Sequence, residues 1–129
     1  MSDIPSDLRY TNDHEWLRAT DGAYAVGITK FAVDQLGDIT LVELPQEGAL
    51  VTKGQRFGTI ESVKSVSDLY APCSGTVVKV NDALKDSPEL INTEPYGKGW
   101  MIEIDPSEKA EVDELLTADA YDQFVASQG

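Results

Sequence analysis

In the run TIESVKSVSDLYAPCSGTVVKV, residues 59–80, a single lysine, Lys64, stands among valines and small serines. Ile60, Val63 and Val66 flank it, Ser62, Ser65 and Ser67 keep its surroundings small, and no other basic residue falls between Arg56 and Lys79. A primary amine at the tip of a hairpin is open to solvent and to another protein's active site. Acylation by an activated carboxylate would turn it into a stable amide and a long swinging arm, so that a cofactor does the chemistry and the protein holds and delivers it. The local pattern alone leaves a plain solvated lysine at least as good a reading.

The other reactive residue types offer less. The lone His14 has no cysteine or second histidine to share a metal with, and its ordinary reading is a loop or hairpin-edge histidine. Cys73, between Pro72 and Ser74, lacks a basic neighbour to favour its thiolate and reads as a small buried apolar residue. The glycines of GKGW have neither the spacing nor the strand–loop–helix setting of a phosphate loop. No catalytic set emerges.

Composition narrows the partners. A formal charge of −13 on 129 residues disfavours phosphate backbones and anionic membranes, and it favours basic-faced protein partners. No apolar run approaches the roughly 20 residues of a membrane-spanning helix. The start MSDIPSDLRY lacks the basic and apolar segments of a signal peptide, and one cysteine cannot form an internal disulfide. The expected address is cytoplasmic, with no nucleic-acid or membrane role.

The elements that must position Lys64 are mostly strands. Residues 1–13 are polar and turn-rich. HEWLRAT and AYAVGIT alternate around Asp21-Gly22, the signature of a tight hairpin. Thr29 is placed to cap a short helix, KFAVDQL, that Gly37 would close. DITLVEL, GQRFGTIESV, SVSDLYAP, TVVKV and GWMIEI follow as strands, with a helical turn around Glu89–Asn92. Asp105-Pro106-Ser107-Glu108 has the form of a helix start. Beyond it Val112, Leu115, Leu116, Tyr121, Phe124 and Val125 recur at helical spacing, as one helix or two broken near Thr117. GDITLV at Gly37 echoes GTVVKV at Gly75, and two similar half-sheets joined by the Lys64 hairpin would make a small flattened barrel or sandwich with Lys64 at a tip.

Several blocks in order carry a resemblance to a known family. HEW at 14–16, VGIT at 26–29, LGDITLVELP at 36–45, ESVKSVSD at 61–68, SGTVVKVN at 74–81, LIN, PYGKGW and MIEI together resemble the glycine cleavage system H proteins. The family's attachment motif falls on Glu61, Ser62, Val63 and Lys64, which implies lipoate in amide linkage on Lys64. Ser65 stands where the family more often has alanine, and Cys73 where it usually has valine or isoleucine. The implied fold is mainly β: a lipoyl/biotinyl-type barrel-sandwich hybrid of two related half-sheets, with short helices and a C-terminal helix. One carrier domain would span 1–129, with a loop over about 1–13, a β core over about 14–104 and a helical segment over about 105–127.

The resemblance also implies a role. A pyridoxal-phosphate glycine decarboxylase releases carbon dioxide and loads the remaining aminomethyl group on the lipoyl arm. An aminomethyltransferase passes the methylene to tetrahydrofolate and frees ammonia, and dihydrolipoyl dehydrogenase re-forms the disulfide. The H protein is the shuttle, has no active site of its own, and needs a lipoate-attaching enzyme. A biotin carrier would place methionine on both sides of the lysine, where Val63 and Ser65 stand; an acyltransferase lipoyl domain would be a shorter module on a flexible linker. A lipoyl relay that supplies lipoate to other enzymes is the remaining alternative. A loaded arm also needs shelter from water and a carboxylate for its ammonium. Glu15 in the HEW hairpin and Asp68, four residues past Lys64, are the candidates; their ordinary reading is a pair of solvated carboxylates.

Overall fold

Alternating apolar residues draw most of the chain into strands, and the turns between them decide which strands meet. The computed structural model describes residues 5–20 and 22–128, the side chain of Gln128 excepted. In chain order the elements are β1 Arg9–Tyr10, β2 Glu15–Ala19, β3 Tyr24–Ile28, α1 Lys30–Leu36, β4 Ile39–Glu43, β5 Leu50–Val51, β6 Arg56–Ser62 and β7 Val66–Tyr70. They continue as β8 Gly75–Val80, α2 Ala83–Asp86, α3 Leu90–Thr93, β9 Ile102–Pro106, α4 Lys109–Asp113 and α5 Ala118–Gln128.

All strand pairs among the described residues are antiparallel. One sheet runs β1-β2-β3-β9-β8-β5 and the other β4-β6-β7. The mainly β architecture expected from the sequence is therefore present. The echoing segments fall in different sheets, as β4 and β8. The Lys64 hairpin does not join the two sheets, however. It is β6–β7, wholly inside the smaller sheet, because Ile60 pairs with Val42 on one side and Ser67 on the other. Between the sheets lies a core that includes Leu17, Val26, Val42, Ile60, Leu69, Val77, Met101 and Ile104.

Local signals explain several elements. Gly22 has φ +82° and the Thr20 N–H donates to the Ala23 carbonyl at 2.8 Å, closing the β2–β3 turn. The other expected turn residue, Asp21, lies outside the described residues. Thr29 caps α1, its hydroxyl accepting from the Ala32 N–H at 3.3 Å. Gly37 closes the helix at φ +82°, its N–H donating to the Val33 carbonyl. Gly27 lies flat beneath the Trp16 indole, and a Cβ there would sit 2.5 Å from the ring.

Two further expectations are corrected. Arg9 and Tyr10, inside the expected 1–13 loop, pair as β1 with Leu17 and Trp16, whose ladder groups satisfy their backbone. The helix start also shifts. Asp105 and Pro106 do not open a helix; they end β9, opposite Thr76 and Gly75. A sheet neighbour satisfies the Asp105 backbone, and a proline without an N–H is tolerated at the end of a strand. The helical stripe begins at Lys109 and does break, with Thr117 accepting from Ala120 and Tyr121 at the start of α5. That helix packs a second cluster in which Tyr10 and Tyr121 stack at 4.7 Å beside Trp16.

Thr29 is fully buried, and its hydroxyl also lies 2.7 Å from the Tyr121 hydroxyl. Thr29→Ala should therefore cost about 1–2 kcal/mol in urea unfolding, with Thr29→Ser recovering most of it. An unchanged midpoint would mean that α1 does not depend on its cap.

Candidate functional site

Ser62 builds the tip of the β6–β7 hairpin. Its N–H donates to the Ser65 carbonyl at 2.8 Å, and its hydroxyl accepts from the backbone N–H groups of Lys64 and Ser65, each at 3.2 Å. A small hydroxyl residue at this position thus closes the turn without covering it. Val63, Lys64, Ser65 and Val66 are exposed, and Val63 and Val66 keep 68% and 66% of their surface in water. A tertiary bond steadies the tip: the Val63 N–H donates to the Asp38 carbonyl at 3.0 Å. The Lys64 stem lies over Gly37, where an added Cβ would stand 3.2 Å from Lys64 Cε.

Below the hairpin a cleft of about 420 Å³ opens between the two sheets and α1. Ile28, Ala32, Leu36, Ile60 and Leu69 give it apolar walls; His14, Glu15, Gln35, Ser67 and Asp68 supply polar groups. At about 3.3 Å per residue, the four residues from Lys64 to Asp68 span roughly 13 Å. A long arm on Lys64 folded back along the hairpin would reach this cleft. The two carboxylates picked out in the sequence line the same cleft, but in different surroundings.

Glu15 is buried, with 2% of its surface exposed. One carboxyl oxygen accepts from the Thr11 hydroxyl at 2.7 Å and the other from the Tyr70 N–H at 3.3 Å. Burial pushes its pKa up to about 8, against the pull of those two hydrogen bonds. Solvation is thus excluded as a reading of this residue. Asp68 is the opposite case. Strand alternation turns it away from Ser67 and the buried Leu69, and its side chain is 45% exposed. Its carboxylate accepts weakly from the Tyr70 hydroxyl at 3.5 Å and stands 3.8 Å from the Arg56 guanidinium.

Residues that the sequence reading left aside complete the site. His14 takes φ +69°, a left-handed conformation uncommon outside glycine, and lines the cleft. Its Nδ1 lies 2.7 Å from the Tyr121 hydroxyl, its ring packs against Phe31 and Phe124, and burial lowers its pKa. It is a hairpin-edge histidine, as expected, yet it is also cleft wall. Ser67 was findable from strand alternation, since its register partner Ile60 points inward. Thr11 and Tyr70 carried no local signal, because their role lies in what they donate to Glu15. Cys73 is fully buried and burial raises its thiol to about 11, in line with a packing role. Among the described residues no cluster of His, Cys, Asp and Glu could hold a metal ion, and no helix is long and apolar enough to cross a membrane.

The raised Glu15 pKa has a sign. From about pH 4.5 to about 8 the folded chain holds a proton there that the unfolded chain has released. The associated stability is present below that window and is lost as pH rises through it. Glu15→Gln should remove this dependence, so that the parent-minus-variant difference falls by up to ~1.4 kcal/mol per pH unit across the window. Urea unfolding at several pH values measures it, and parallel curves would put Glu15 in water.

Comparison with known proteins agrees with this geometry. The family model described as glycine cleavage H-protein matches residues 8–128. A glycine cleavage system H protein of Listeria monocytogenes is 56% identical over 122 residues, 95% of this chain and 98% of that protein. A probable glycine cleavage system H protein of Haloarcula marismortui is 55% identical over 119 residues, covering 92% and 94%. The crystal structure of a glycine cleavage system H protein from Mycobacterium marinum superposes with a TM-score of 0.87 at 45% identity, covering 98% of this chain and 99% of that one. With an exposed hairpin lysine above a cleft, and family sequence from end to end of the described core, the chain belongs to the glycine cleavage H-protein family.

Proposed function

We propose that this chain is the lipoyl carrier of the glycine cleavage system, with lipoate in amide linkage on Lys64 and the whole of 1–129 acting as one carrier unit. Its work is transport: the aminomethyl group of glycine moves from the decarboxylase to the aminomethyltransferase, and dihydrolipoyl dehydrogenase then reoxidises the carrier. The observation that carries the reading is the exposed Lys64 on a serine-closed hairpin directly above a cleft that holds a buried carboxyl. The family and the names of its members favour this role over a biotin carrier or a lipoyl relay. A cytoplasmic place fits the single buried thiol.

Glu61, Ser62, Val63 and Ser65 present the lysine to the lipoate-attaching enzyme. When bound, the lipoyl group supplies a disulfide that opens to accept the aminomethyl load. The chain's own residues do the rest. Ile28, Ala32, Leu36 and Ile60 offer apolar surface to the hydrocarbon of the arm and exclude water. Glu15, inside the cleft, receives the ammonium of the load, and Asp68, whose side chain alternation turns outward, meets it at the rim. A cation beside Glu15 favours its ionised form and opposes the effect of burial, so docking would release the Glu15 proton. At Asp68 the ammonium competes with Arg56 for the carboxylate, in partly exposed surroundings where such pairs are weak. Glu15 is accordingly the stronger of the two.

Peptide mass mapping after expression with lipoate should place a lipoyl adduct on the peptide containing Lys64. A biotin-sized adduct, or modification of Lys53 or Lys79 instead, would overturn the assignment. Lys64→Arg should fold and carry nothing, since a guanidinium cannot serve as the acceptor amine. On the lipoylated, loaded protein, Glu15→Gln should release ammonia and formaldehyde several-fold faster than the parent in the absence of the aminomethyltransferase, and Asp68→Asn less so, as charge pairing is lost. Release at the parental rate from both would show that these carboxylates do not guard the load.

A further inference from the structure

Asn92 lies on α3, far from the hairpin in sequence, and no part of the carrier chemistry involves it. Its side-chain amide nevertheless brackets the junction on which the hairpin tip rests. Asn92 Oδ1 accepts from the Ile39 N–H at 2.9 Å, and Asn92 Nδ2 donates to the Gly37 carbonyl at 2.9 Å. Between those two bonded residues is Asp38, whose carbonyl takes the Val63 N–H at 3.0 Å. The first bracketed residue, Gly37, is the surface over which the Lys64 stem lies. One amide therefore holds both sides of a short segment whose middle carbonyl sets the height of the tip and whose glycine seats the lysine.

The anchor is rigid. Ile91, next to Asn92, is completely buried in the core, and Asn92 itself is half-buried. A four-residue turn of helix with one side in the core cannot follow the hairpin if the tip drifts. The tip has little of its own to hold it: four consecutive exposed residues and, among the described residues and apart from bonds within the turn, the Val63–Asp38 backbone bond described above. An acceptor amine must meet an activated carboxylate at reacting distance, and small misplacements at that step are costly.

We propose that Asn92 is a positioning residue for acylation of Lys64: through the Gly37–Ile39 segment it fixes where the hairpin tip presents the lysine to the lipoate-attaching enzyme. The proposal rests on Lys64 being the lipoylated residue. Asn92→Asp keeps the acceptor toward Ile39 and replaces the donor toward Gly37 with an oxygen that repels its carbonyl. Asn92→Ala removes both bonds without introducing a repulsive oxygen and leaves Gly37 free to keep its positive φ.

The test is steady-state acylation of the full-length apo chain by a purified lipoate ligase with lipoate and ATP, alongside amide hydrogen exchange at Val63. For Asn92→Asp, kcat should fall about tenfold or more with KM within roughly twofold, and Val63 should lose protection. Asn92→Ala should lower kcat in the same direction with Val63 likewise losing protection, and it carries the test if Asn92→Asp does not fold. A folded Asn92→Asp that is acylated at the parental kcat, or that keeps Val63 protected, overturns the proposal, as does a fully active Asn92→Ala. If the parent chain itself is not acylated at Lys64, the carrier reading fails instead, and the two failures are told apart in one experiment.

Discussion

The Tyr121 hydroxyl is the contact on which the cleft depends. It lies 2.7 Å from His14 Nδ1 and 2.7 Å from Thr29 Oγ1, and so ties the C-terminal helix to two residues that the β2–β3 hairpin already brings together, the Thr29 N–H donating to the His14 carbonyl at 2.9 Å. Thr29 caps α1, one wall of the cleft, and His14, just before β2, lines the same cleft. The ring that brings the hydroxyl there is stacked on Tyr10 and fully buried. A hydroxyl placed among two other polar groups away from water must be satisfied by them, so the three groups hold one another in a single arrangement. The C-terminal helix is thereby more than a lid on the sheet: through Tyr121 it is bonded to the junction of α1 and the β2 loop.

The proposed carrier role sets two opposed requirements around that contact. An amine that another protein must acylate has to stand in water, and a labile load has to leave it. The β6–β7 hairpin answers the first with small serines and a turn closed by its own hydroxyl. The cleft answers the second with apolar walls and a carboxyl that burial keeps largely neutral near pH 7. A permanently charged carboxylate at the Glu15 position would be costly in an empty cleft. One whose proton leaves when a cation arrives has a low cost in either state.

The acidic surface belongs to the same design. A net charge of −13 raises the encounter rate with basic docking faces and keeps the carrier apart from other copies of itself. Most of these carboxylates lie at the surface; the four side-chain ion pairs found among the described residues are all well exposed and contribute little to stability. Stability comes instead from the apolar layer between the sheets and from the aromatic cluster under α5.

Much of this was readable in the amino-acid sequence because the forces concerned are local. Thr29 and Gly37 bound α1 through caps that need only their own helix, Gly22 makes its turn through its own φ, and Ser62 closes a turn between neighbours. Lys64 is exposed for the same local reason. Asp105-Pro106 misled, because a helix-start pattern yields when a neighbouring strand satisfies the same backbone groups. The remaining features depended on distant partners. Glu15 looks like any other acid of a strongly acidic chain until Tyr70, 55 residues away, donates to it and the sheets close over it. Asn92 becomes a bracket only because α3 packs against the turn 53 residues before it. Sequence alone determined the hairpin, its lysine and the helix caps, since bonds between near neighbours form wherever the chain folds locally. Which carboxyl is buried, and what holds the lysine in place, only the tertiary structure decided, because desolvation and long-range hydrogen bonds exist only once distant segments have packed together.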